Sequence, residues 1–330
     1  MRGVAAGAIL GGSSAGDEGG AVMNDGKQWP GPVRALAAHL ASKGERVATA
    51  RQVSDRRGSR AWHVTSTCGQ FALKANAEGL CSARDKRSEL NREVRVIAEL
   101  GRLDAIPVDY LVASGTWDGG RWLAVKWAPG EPMWHAFAVS RDKDVSDSRR
   151  FVITCTRSMA SAMASMHRVQ WVHADIQPTN TLVTEDGSAT LIDYALACGP
   201  VVQGSPDLEA DRSPYLGALT HTTAPEIASA LLNTAETVHV PATAAADVWA
   251  LGATLFWCWT GHRPVPYGEP DGPRAGKLRD IAEGNLLDVA EVRPWAFPRF
   301  EEAITACLHP APDKRPTATE LLDFVGEPER

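Results

Sequence analysis

The sequence predicts an α+β protein in which a small antiparallel sheet precedes a larger, mainly helical part. Three observations carry this expectation. Strand-like runs joined by short polar turns crowd residues 46–127, helical periodicity dominates after residue 131, and no repeat of 20–50 residues interrupts the order. The chain has 330 residues, 44% of them hydrophobic and 22% charged, enough for one fold of that kind. Its formal net charge of −6 argues against partners that present phosphates, so neither a nucleic acid nor a membrane surface is expected.

Residues 1–28 are rich in Gly, Ala, Ser and Asp and read as a disordered tail. The apolar stretch Val4–Leu10 is broken by Gly7 and makes a poor signal-peptide core. Pro30–Ser42 predicts a short helix with Leu36, Leu40 and Ala41 on one face. Val47–Val53, Trp62–Ser66 and Phe71–Ala75 read as a three-stranded meander, with Ser54–Arg60 as its first, polar turn. Lys86–Leu100 places Leu90, Val94, Ile97 and Leu100 on one helical face. Two more strands, Tyr110–Ser114 and Trp122–Trp127, flank the hairpin turn Asp118-Gly119-Gly120. Trp127-Ala128-Pro129-Gly130 has the composition of a linker.

Helices follow at Phe151–His167, Val248–Trp259, 274–283, 298–308 and 318–325; Val248–Trp259 is apolar but too short to span a bilayer. The expected domain runs over 29–325, divided into 29–127 and 131–325, with a tail at 326–330. About 20 residues rich in small side chains, 227–246, read as an inserted loop. Cys68, Cys81, Cys155, Cys198, Cys258 and Cys307 show neither a C-x-x-C pair nor metal-ligand spacing, so reduced thiols and a cytoplasmic location are expected.

Chemistry concentrates in 171–195. His173-Ala174-Asp175 is followed by Asn180, and two apolar runs flank the turn Glu185-Asp186-Gly187 before Asp193. Two carboxylates and an amide gathered at a hairpin-like loop are hard oxygen donors suited to Mg²⁺. Phosphoryl transfer needs such a set, with one carboxylate left to orient the acceptor hydroxyl.

On these residues the chain resembles the protein kinase superfamily, in its eukaryotic-type Ser/Thr form, from about residue 45 to 325. His173-Ala174-Asp175 with Asn180 is similar to the catalytic loop, Asp193-Tyr194-Ala195 to D-F-G, Ala224-Pro225-Glu226 to A-P-E, and Asp247 to Gly252 to D-x-W-x-x-G; Phe71-Ala72-Leu73-Lys74 is similar to the V-A-I-K strand. The resemblance implies a bilobal kinase-like fold that uses ATP and Mg²⁺. It implies that Lys74 holds the phosphates and pairs with Glu93, or with Glu89 as the second choice. Asn180 and Asp193 would bind the metal, and Asp175 would receive the substrate hydroxyl, with Gln177 beside it. Gly58, Val125, Trp127 and Ala128 would line the nucleotide, and Arg315 would pair with Glu226. From the residues alone, Lys74 reads better as a strand-end surface lysine, and Asp247 as a helix N-cap.

The pattern has departures. The segment Ser54–Arg60 holds one glycine, Gly58, and Arg56, Arg57 and Arg60, where glycines would let a backbone approach phosphates; an arginine clamp and a solvated turn are both open. Ala174 replaces the family arginine that receives an activating phosphate, Gln177 replaces a lysine, and Ala195 lacks the left-handed freedom of glycine. The expected function is phosphoryl transfer to a Ser/Thr hydroxyl of a protein or peptide. A small-molecule acceptor, or a pseudokinase acting by nucleotide or partner binding, is the alternative.

Overall fold

The computed structural model describes residues 23–24, 29–56, 59–76, 83–118, 120–144, 146–200, 219–235 and 238–327. They fall into two compact units, one ending at Pro129 and the other beginning at Gly130. The expected class holds: the first unit is an antiparallel sheet with helices, and the second is mainly helical.

The sheet unit comprises β1 (Met23–Asn24), α1 (Gly31–Ala41), β2 (Val47–Arg56), β3 (Ser59–Ser66), β4 (Gly69–Asn76), α2 (Ala83–Arg102), β5 (Leu111–Trp117) and β6 (Gly120–Lys126), with strand order β1-β2-β3-β4-β6-β5. The first turn is shorter than the sequence suggested. Pairing continues through Asp55↔Arg60 and Arg56↔Ser59, so Ser54–Arg60 is mostly strand. An ion pair of 3.0 Å between Arg60 and Asp55 sits across that ladder, and opposite charges facing each other favour pairing over a turn. Arg57 and Gly58 lie outside the described residues.

α1 begins on Pro32 at its first turn and buries Val33, Leu36 and Leu40 against Val47, Trp62, Phe71 and Trp122 of the sheet. α2 buries Leu90, Val96, Ile97 and Leu100, whereas Val94 is only half-buried. The expected apolar face is therefore turned toward Val96.

The helical unit opens with β7 (Glu131–Pro132), α3 (Met133–Ala136) and α4 (Ala138–Asp142), short elements that the sequence did not reveal. Gly130 precedes them at φ +108°, and a Cβ there would stand 2.7 Å from the Val183 backbone, so only glycine fits. α5 (Ser146–Arg168) follows, then β8 (Thr181–Val183) and β9 (Ala189–Leu191), which join β7 in a small antiparallel sheet. The remaining helices are α6 (Pro225–Asn233), α7 (Ala244–Thr260), α8 (Arg274–Glu283), α9 (Val289–Val292), α10 (Pro298–Cys307) and α11 (Ala318–Val325). The stretch read as an insertion is thus partly helix, because α6 continues from Pro225 to Asn233.

α7 is apolar around most of its circumference, as a helix surrounded by others must be. Its Trp259 packs edge-on against Trp295 and Phe300, with ring centroids 5.2 and 5.0 Å away. Thr243 caps α7 by accepting from the Ala246 N–H, and Gly261 ends it in a left-handed conformation. Asp247 is consequently not the cap; it lies inside the first turn with its side chain buried. The Glu226–Arg315 pair expected from the resemblance is present and bidentate, at 2.7 and 2.8 Å. The same guanidinium also donates to the carbonyls of Ala245, His309 and Pro310. Among the described residues no helix is long and apolar enough to cross a membrane.

Because Leu36 is fully buried between α1 and the sheet, Leu36→Ala should lower unfolding stability by about 2–5 kcal/mol, as core truncations do. Denaturant titration of the full chain checks this. A loss below about 0.5 kcal/mol, the range of neutral surface changes, would place α1 outside the cooperative fold.

Candidate active site

In the helical unit, the segment after α5 turns through Gln170 at φ +61° and is tied to Cys198 by two backbone bonds, Val172 N–H to Cys198 O at 2.8 Å and its reciprocal at 3.0 Å. His173, Ala174 and Asp175 then wrap around one buried carboxylate. Asp247 accepts the His173 N–H at 2.8 Å and the Ala174 N–H at 2.9 Å, while His167 Nε2 stands 3.0 Å from it. These bonds hold Ala174 at φ +62°, a conformation that costs a non-glycine residue on the order of 1–2 kcal/mol. The Asp175 N–H donates to His173 Nδ1 at 3.3 Å, so the ring carries its proton on Nε2. Burial pushes the His173 pKa down and keeps that ring neutral.

Asp175 itself is buried, and both carboxylate oxygens are engaged. Gln177 Nε2 donates to one at 2.6 Å, and Asn180 Nδ2 to the other at 2.7 Å. Thr179 orients Gln177 by donating to its Oε1 at 3.0 Å. The backbone N–H of Leu219 faces Asp175 as well and favours its charged form. Burial, followed by the nearby charge of Asp193, raises the Asp175 pKa well above the ordinary carboxylate range; the amide donors oppose that shift and do not cancel it.

Asp193 follows β9, which the Ile192 N–H ties to Asn180 O at 3.0 Å. Asp193 has φ +65° and caps a 3-10 turn, Tyr194–Leu196, by accepting from the Ala195 N–H. The left-handed residue is thus the aspartate, and Ala195 sits inside the turn without needing glycine's freedom. Asn180 is fully buried, yet its Oδ1 has no hydrogen-bond partner among the described residues. An orphaned amide oxygen and the Asp193 carboxylate fit a divalent cation that takes its other oxygens from phosphates. They do not make an all-protein cage, and no group of three His, Cys, Asp or Glu able to hold a metal occurs among the described residues.

In the sheet unit, Lys74 pairs in β4 opposite Ala61 of β3 and Leu123 of β6. Its Nζ meets Glu93 Oε2 of α2 at 2.8 Å, with both side chains largely buried. Glu93 rather than the exposed Glu89 is therefore the partner. Val125 and Ala128 are buried. The Trp127 ring stacks on His63 at 4.0 Å and the Trp127 backbone N–H donates to Gln70 O at 3.0 Å, so ring and backbone are both engaged within the sheet unit.

Sequence reasoning did not assign Asp247, His167 or Leu219 a part in this site. The D-x-W-x-x-G motif pointed to Asp247 but not to what its carboxylate would hold. Thr222 and Thr223 are buried and donate to Leu219 O at 3.1 and 3.2 Å.

The protein kinase domain matches residues 60–324, and the chain belongs to that family. Among similar proteins are Serine/threonine-protein kinase 10-A of Xenopus laevis, 26% identical over 64% of this chain and 20% of its own, and Mitogen-activated protein kinase kinase 3 of Arabidopsis thaliana, 27% identical over 75% of this chain and 44% of its own. Inactive serine/threonine-protein kinase PLK5 of Mus musculus is 23% identical over 82% of this chain and 42% of its own. The chain thus matches 20% to 44% of the length of these relatives.

A carboxyl whose pKa is raised by folding stabilises the fold fully below its unfolded value and ceases to do so as pH rises through the folded value. Asp175 is such a group. Asp175→Asn should therefore melt at a higher temperature than the wild type at pH 7, and the gap should close below about pH 4. Melting curves across pH check this; a gap independent of pH would contradict it.

Proposed function

We propose that this chain is an active protein kinase that transfers the γ-phosphoryl group of ATP, with Mg²⁺, to a Ser or Thr hydroxyl of a protein substrate. The observation that carries the reading is the buried Asp175 carboxylate with its raised pKa, held between Gln177 and Asn180. A carboxylate of that kind takes a proton more readily than an ordinary one, which is what a general base requires. The acceptor hydroxyl oxygen forms its bond to the γ-phosphorus, Asp175 takes the hydroxyl proton, and ADP leaves with the electron pair of the broken bond.

Lys74, oriented by Glu93, holds the ATP phosphates, and Val125, Trp127 and Ala128 belong to the nucleotide-binding set. Asn180 and Asp193 hold the cation, which when bound neutralises phosphate charge. Gln177 brings no positive charge to the phosphoryl group; its amide fixes the Asp175 rotamer, which makes it a positioning residue. A protein rather than a small-molecule acceptor is supported by the turn at 219–223. Its Leu219 reaches Asp175, and the residues just after it lead into Glu226 and the Arg315 pair. The domain is proposed to begin with α1, ahead of the matched region, and the location is proposed as cytoplasmic.

The test is incubation with γ-labelled ATP, Mg²⁺ and a generic protein substrate. Wild type should label the substrate, and Asp175→Asn should lose about 10²–10⁴-fold in rate while keeping nucleotide affinity. Equal rates would remove Asp175 from the mechanism. Nucleotide-dependent thermal stabilisation without transfer would support the competing pseudokinase reading, which the missing lysine at Gln177 favours.

A further inference from the structure

We propose that this chain selects protein substrates with acidic residues beside the accepting Ser or Thr, and that Arg263 and Lys277, arrayed on the rings of Trp257 and Tyr267, do the selecting. The inference rests on the kinase reading above and adds the chemistry of its substrate.

The location follows from one approach. The backbone N–H of Leu219 faces Asp175, and a 3-10 turn, Thr220–Thr222, begins at the next residue. A hydroxyl placed on Asp175 therefore brings its neighbouring residues to that turn. The turn is rigid, because the hydroxyls of Thr222 and Thr223 both return to Leu219 O. Its His221 is locked as well: Nδ1 lies 2.8 Å from the Tyr267 hydroxyl, and the ring meets Trp257 edge-on at 5.5 Å.

Cations gather around this wall. The Arg263 guanidinium stands 5.7 Å from the Trp257 ring centre and 5.9 Å from that of Tyr267, while Lys277 Nζ stands 5.8 Å from Tyr267. Arg274 Nε reaches Thr220 Oγ1 at 3.3 Å. Aromatic faces attract cations but leave their charge uncancelled. Among the described residues, neither Arg263 nor Lys277 forms an ion pair. The nearby acid Asp280 accepts the Gly268 N–H at 3.2 Å, and Glu269 and Asp271 are exposed on the connecting loop. The potential at the turn itself is positive: burial, then the charges of Arg263 and Lys277, push the His221 pKa down to about 4. A positive patch at the point of substrate entry, on a chain of net charge −6, gives acidic side chains both a faster encounter and a partner on arrival.

The experiment compares two peptides, each with one Ser, flanked on both sides either by Asp and Glu or by Ala. Transfer (kcat/KM) and binding of fluorescein-labelled copies by anisotropy are measured with wild type and with Arg263→Glu/Lys277→Glu. Wild type should favour the acidic peptide by about tenfold, the effect of two partly screened charge pairs, and the preference should shrink as salt is raised. The double variant should abolish or invert that ratio in both readouts. Equal handling of the two peptides by wild type, or a ratio unmoved by the charge reversal, overturns the proposal. If neither peptide is phosphorylated, the kinase reading fails, and the anisotropy ratio still decides the selectivity.

Discussion

Asp247 holds the arrangement together. One buried carboxylate accepts two successive backbone N–H groups of the loop that carries Asp175 and also meets the His167 ring. Charge-assisted bonds in a water-poor setting are strong, and a carboxylate that loses its donors there is costly, so loop and helix constrain one another. The strained backbone of Ala174 persists because that clamp over-determines it. α7 can act as the anchor because it is fixed by Thr243 at one end, Gly261 at the other, and apolar packing along most of its length.

Electrostatics in the two units follow opposite rules. In the sheet unit, Lys74 and Glu93 leave water together, and each offsets the other's desolvation. In the helical unit, burial and then the like charge of Asp193 act on Asp175, and the compensation at Asp175 comes from neutral amides and backbone N–H groups. The first arrangement fixes an orientation. The second leaves a carboxylate with an unusual affinity for protons and an amide oxygen at Asn180 in want of a partner.

Much of this was legible in the sequence because periodicity reports burial directly. Helices such as 274–283 and 318–325 fell where the apolar spacing put them, and the spacing of Asp175 and Asn180 already placed together two residues that the fold bonds to each other. What stayed hidden depends on contacts distant in the chain. Polar composition at Ser54–Arg60 reads as a turn unless Asp55 and Arg60 are known to face each other across strands. The burial of Val96 in preference to Val94 is a rotation that only packing decides. Met133–Asp142 folds into pieces too short to show a period. The alanine at 195 looked like a lost glycine, yet the left-handed conformation belongs to its neighbour Asp193.

The long reach of the Asp247 bonds bears on how the protein is made. Ala174 waits 73 residues for its acceptor, and Glu226 waits 89 for Arg315. At the usual pace of synthesis, about 5–20 residues per second, the loop emerges roughly 4–15 s before its clamp exists. During that interval the nascent helical unit exposes apolar surface that α7 will later cover, and its chemistry-bearing loop has no fixed shape. The loop that carries Asp175 is therefore fixed only once α7 has been translated, while α8 to α11 are still to come.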